Sequence, residues 1–95
     1  MFIILLKFSK NKGKAQEFMK GHMKWIQQGF DDGVFLLTGS IKPSLGGAVM
    51  AHKTTLSDLK KRIDADPFVS ENVVEAEILE IDPSKSDQRL EFLNG

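Results

Sequence analysis

Few side chains in this sequence could move a proton near neutral pH, and two of those that could sit where packing rules would not put them. "FMKGHMKWI", Phe18 to Ile26, has a helical pattern and carries His22 inside its apolar stripe. "DADPF", Asp64 to Phe68, holds two carboxylates where a second helix should end. At 100° per residue from Ala15, His22 falls at about −20°, near the centre of a stripe made by Phe18, Met19, Met23, Ile26 and Phe30. Leaving its ring nitrogens unpaired there would cost roughly 1–3 kcal/mol. His22 therefore needs a polar partner, a water or a cavity. One reading is a core histidine bonded to a backbone carbonyl. The other is a His–carboxylate pair, in which the acid orients the ring and stabilises imidazolium while the ring carries the proton.

Negative charge at a helix C-terminus is disfavoured by roughly 0.3–1 kcal/mol, and local rules broken without evident gain often mark function. Asp64 reads as a solvated acid. Asp66 reads either as a turn residue capping the Asp-Pro step or as the partner of His22. Gly21 lies inside the first helix at a cost of about 1 kcal/mol relative to alanine, and leaves room for another backbone or a ligand. Ser40, at a strand end, could donate to a ligand. Trp25, at about −80° on the helix flank, could line a pocket or a dimer contact. His52 reads as an isolated surface histidine. The two histidines lack the H-x-x-x-H spacing of a helical zinc site, so neither a metal nor another cofactor is expected.

These residues need elements to hold them. Phe2 to Phe8 reads as a strand, and Ala15 to Phe30 as an amphipathic helix. "VFLLTGSI" (34–41) is a second strand, "KPSLGG" a hairpin connection and "AVMAHK" (48–53) a third strand. "TTLSDLKKRI" is a second helix, with Thr55 and Asp58 forming a loose capping box and Pro67 ending it. Val74 to Ile81 is the fourth strand. The order βαββαβ implies a ferredoxin-like α+β fold, with two helices on one face of a four-stranded antiparallel sheet. The first strand is apolar on both sides of its pleat, and Leu36, Leu37 and Ile41 suggest the same for the second. A cover for the helix-free face is therefore expected, most simply a second copy of the chain.

The 95 residues suit one domain, taken as 1–82 with a polar tail at 83–95. Thirteen basic residues balance thirteen acidic ones, which argues against nucleic-acid or membrane partners. Cysteine is absent, which excludes disulfides and thiolate chemistry. No signal peptide and no membrane-length apolar run are evident, so a cytoplasmic location is expected.

"HMKWIQQGFDDGVFLLTGSIKP" and "LKKRIDADPFVSENVVEAEILEI" resemble the histidine helix, the Asp-Pro-aromatic turn and the last strand of the YCII-related family. The resemblance implies a dimeric α+β barrel, similar in fold to muconolactone isomerase, with His22 and Asp66 as a proposed catalytic pair. It implies no substrate. The chain departs from many relatives in having Gly39-Ser40 instead of Gly-Pro, and Lys20 rather than an arginine before the histidine. The expected function is acid/base chemistry on a small molecule, isomerase- or hydrolase-like. The alternative is a non-catalytic module that binds a small ligand or another protein.

Overall fold

The computed structural model describes residues 1–94. Strand β1 (Phe2–Phe8) leads through a short 3₁₀ turn at Lys12–Lys14 into helix α1 (Ala15–Asp31). Strands β2 (Phe35–Ile41) and β3 (Gly46–Ala51) form a hairpin. Helices α2 (Leu56–Asp64) and α3 (Pro67–Ser70) and strand β4 (Val74–Glu80) follow. A second 3₁₀ segment, Gln88–Asn94, lies in the tail. The sheet is antiparallel throughout in the order β2-β3-β1-β4, so the doubly apolar β1 does lie in its interior. This is the ferredoxin-like α+β architecture that the pattern predicts.

Pleat alternation assigns the faces. Phe2, Ile4 and Leu6 of β1, Val49 and Ala51 of β3, Phe35 of β2 and Val74 of β4 are buried beneath the helices. Leu59 and Ile63 of α2 and Phe68 of α3 close over them. Thr55 caps α2, its hydroxyl accepting from the Asp58 N–H at 3.1 Å. The other sheet face carries a row across all four strands, Leu37–Met50–Ile3–Leu79, set by the ladder register. Leu37 and Leu79 are exposed there. The second strand is therefore not buried on both sides within the chain. It is also irregular, with a bulge between Phe35 and Leu37.

Helix α1 corrects the sequence reading. Its buried residues are Trp25 and Gly29, whereas Met19, Met23 and Phe30 are exposed. The inward face is turned away from the methionines, toward Trp25. Hydrophobicity alone misplaced it, because Gly29 carries no hydrophobic signal. A Cβ on Gly29 would enter the Phe35 ring, so glycine is what lets α1 settle there. Trp25 meets the same ring edge-on, with centroids 5.0 Å apart.

The second correction lies at Asp66. Pro67 does not simply stop α2. It occupies the first turn of α3, where proline is favoured, and Asp66 is that helix's N-cap. The carboxylate thus sits at a favourable N-terminus rather than an unfavourable C-terminus, and the dipole conflict inferred from the sequence does not arise at this residue.

Candidate active site

The site forms at the end of the sheet where β1 finishes and α3 packs onto α1. Gly21 sets the approach of the two helices. A Cβ there would lie 3.0 Å from Cγ of Pro67, so the glycine leaves room for the turn that follows α2. One residue further along α1, His22 reaches Asp66 across 44 positions of sequence. Nδ1 of His22 lies 2.9 Å from Oδ1 and 3.1 Å from Oδ2 of Asp66. Oδ1 also accepts the Phe68 N–H at 3.0 Å. Asp66 is 0% exposed and is the one buried charged residue among those described.

This geometry selects a tautomer. A carboxylate has only lone pairs to offer, so Nδ1 carries the proton and Nε2 presents its own lone pair. Nε2 makes no hydrogen bond within the described residues, and no buried side-chain nitrogen or oxygen there lacks a partner. Nε2 is therefore open to solvent. Phe68 stacks flat on the imidazole, with centroids 3.9 Å apart and planes within 2°. Its flat face holds the ring orientation. The sequence reading did not assign Phe68 a role, although it stands in the Asp-Pro-aromatic turn itself.

Behind the pair, the Trp25 indole N–H donates to the Arg62 carbonyl at 2.7 Å. That carbonyl belongs to the last turn of α2, where it also accepts the N–H of the C-cap residue Ala65 at 3.2 Å. The bond fastens α1 to the corner from which Asp66 projects. Arg62 adds an ion pair to Asp32 at 3.0 Å. The Gln28 amide, and after it Arg62, hold the Asp32 carboxyl below its ordinary range.

His22 opens onto a cavity of about 200 Å³ lined chiefly by Leu6, Phe8, Met19, Met23, Ser40 and Phe68. The space exists because Gly47 lies between Ser40 and Leu6 in the ladder, on the helix-facing side, and brings no side chain. Gly46, with φ +134°, approaches the Leu6 carbonyl too closely for any Cβ. Ser40 thus shares a cavity with His22. Trp25 does not line it: the indole lies behind His22, with centroids 5.9 Å apart, and flanks a separate groove beside α2. Met19 and Met23, placed on the apolar stripe by the sequence, are lining residues. His52 is remote from the cavity and half-buried rather than exposed, with Phe92 of the tail edge-on at 5.6 Å. Burial, with a smaller contribution from Lys53, pushes its pKa down. Among the described residues, no group of three His, Asp or Glu side chains could hold a metal ion.

A helix-covered antiparallel sheet with a histidine–carboxylate pair at one end defines a ferredoxin-like α+β domain built around a small cleft. The YCII-related domain matches residues 1–82, and the chain belongs to that family. Among solved structures, it resembles 5-chloro-2-hydroxyhydroquinone dehydrochlorinase from Burkholderia phenoliruptrix, in complex with 2,5-dihydroxybenzoquinone. The TM-score is 0.68 at 9% identity, covering 85% of this chain and 93% of that one. At that identity the likeness is one of fold. No curated protein matches the sequence.

Proposed function

We propose that this protein is a small acid/base enzyme in which His22 transfers a proton at Nε2 and Asp66 sets its tautomer. The observation that carries the reading is the buried Asp66 carboxylate on Nδ1 of a histidine that lines a cavity, with Nε2 left unbonded. Asp66 is acceptor to the ring and to the Phe68 N–H, so it orients the ring. Substrate would lie against Leu6, Phe8 and the two methionines, with its acidic C–H or O–H toward Nε2. Taking that proton creates imidazolium between Asp66 and the Phe68 face. Returning it to another atom gives an isomerase; donating it to a leaving group gives an elimination; taking the proton from an attacking water instead, and donating it to the leaving group, gives a hydrolase-like step. The cavity is smaller than those that enclose drug-sized ligands, which favours a single-ring or comparably small molecule. A protein of this fold whose structure is a complex with 2,5-dihydroxybenzoquinone is consistent with that size.

The apolar row Leu37–Met50–Ile3–Leu79 supports a homodimer closed face to face over the sheet, since an exposed apolar patch on a folded domain favours association.

Proton transfer can be tested without knowing the pathway. A panel of small lactones, enol acids and hydroxyquinones is incubated in D₂O, and deuterium exchange and product formation are followed by NMR. Wild type should accelerate exchange on at least one member, and His22→Ala should lose about 10²–10⁴ of that rate. Equal rates for wild type and His22→Ala across the panel would refute the proposal.

A further inference from the structure

The His22 cavity has a neighbour at Phe8 and Ser40. A wider, more open cleft of about 640 Å³ begins there, bordered by the 3₁₀ turn and the β2–β3 hairpin. Phe8, Ser40 and Gly46 line both spaces, so the two adjoin. Their character differs. The inner chamber is lined mostly by hydrocarbon and thioether, whereas the outer cleft is flanked by Lys12 and Lys42.

The position of Lys12 is held. Its Nζ lies 4.8 Å from the centroid of the Phe8 ring, the ring that separates the two spaces. The charge thus stands at the threshold rather than in open solvent. Neither Lys12 nor Lys42 forms an ion pair among the described residues. No Asp or Glu lines either space, although the chain as a whole carries equal numbers of acids and bases. Asp66 lies behind the His22 ring, engaged by Nδ1. The Ser40 hydroxyl, at the junction, has no hydrogen-bond partner among the described residues and is free to donate.

We propose that the two spaces form one bipartite site for a small organic anion. Its apolar body occupies the His22 chamber, and its carboxylate lies between Lys12 and Lys42 with Ser40 donating at the junction. This rests on the reading of His22 as the reacting group, but it is a separate claim about substrate class. It assigns Lys12, Lys42 and Ser40 to specificity.

Benzoate and its neutral isostere benzamide are the probes, titrated into the ¹⁵N-labelled full chain. Benzoate should shift the amides of Ser40, Gly46, Gly47 and His22 and bind about three- to tenfold more tightly than benzamide at low salt. The preference should shrink as added NaCl shortens the Debye length. It should vanish in the doubly substituted chain carrying Lys12→Gln and Lys42→Gln, both at exposed positions that the fold does not need. His22→Ala should keep it. Equal affinity for the two probes, a preference that survives loss of both lysines, or shifts located elsewhere would overturn the bipartite site. None of those results bears on the deuterium-exchange test of His22, so the two claims can fail separately.

Discussion

Replacing Asp66 by asparagine should split the two jobs of this residue. Asparagine caps helices about as well as aspartate, so its carbonyl oxygen can keep the Phe68 N–H and the start of α3. The amide nitrogen then takes the place of Oδ2, 3.1 Å from Nδ1 of His22. The amide N–H opposes the Nδ1–H across that gap and favours the tautomer in which the ring carries its proton on Nε2 and accepts at Nδ1. The fold loses the difference between a charge-assisted and a neutral hydrogen bond, about 1 kcal/mol, or roughly 4–8 °C in Tm for a domain of this size. The chemistry loses far more, because Nε2 no longer has a lone pair. The equivalent change in a Ser-His-Asp triad lowers kcat by about 10⁴, and a loss of 10³ or more is expected here. Two measurements check this on one sample: long-range ¹H–¹⁵N spectra of the imidazole, which should switch from the Nδ1–H to the Nε2–H pattern, and turnover of whichever panel member wild type processes. An Asp66→Asn protein that keeps the Nδ1–H tautomer, or that switches tautomer yet retains activity within about threefold, would refute the assigned role.

Three further outcomes follow from other parts of the molecule. Gly21→Ala should gain up to about 1 kcal/mol of helix propensity but push Pro67 outward from 3.0 Å, so turnover should fall more than thermal stability; an unchanged rate would mean the turn yields without moving Asp66. Leu37→Asp on the open sheet face should give a folded monomer by light scattering at micromolar concentration, where wild type is expected to run as a dimer; a wild-type monomer would remove the face-to-face assembly. His52 has a lowered pKa, so the unfolded chain takes up its proton first as pH falls below about 6.5, and stability drops from there toward the folded value. Urea midpoints measured between pH 7.5 and 5 should show a smaller decline in His52→Gln than in wild type.

Element types and their order were legible because period-2 and period-3.6 patterns are set by backbone geometry, and the apolar runs here are long enough to display them. The doubly apolar β1 even indicated its interior position. Legibility failed where a residue acts through what it lacks. Gly29 turns α1 toward Phe35 and Gly47 opens the chamber under His22, yet neither adds anything to a hydrophobic pattern. The methionines, placed on the apolar stripe, line the cavity instead. The rotation moved Trp25 from the flank into the interior, where its N–H found the end of α2.

Asp66 is the instructive residue, because it drew attention through a conflict that the fold does not contain. As the last acid of a helix it would oppose the dipole; as N-cap of α3 it is well placed. A capping carboxylate and a histidine partner had looked like competing explanations of one side chain. They are compatible because the two bonds reach the carboxylate from different directions: Oδ1 takes the Phe68 N–H from its own turn, and both oxygens face Nδ1 of His22. The cap fixes the rotamer, and the fixed rotamer aims the carboxylate at the ring. A surface aspartate free to rotate would hold His22 less firmly and would be exposed to solvent; this one is buried, and its position follows from the local turn. Pre-organisation of the pair is thus a by-product of helix capping, and the short α3 matters to His22 although it contributes no reacting group.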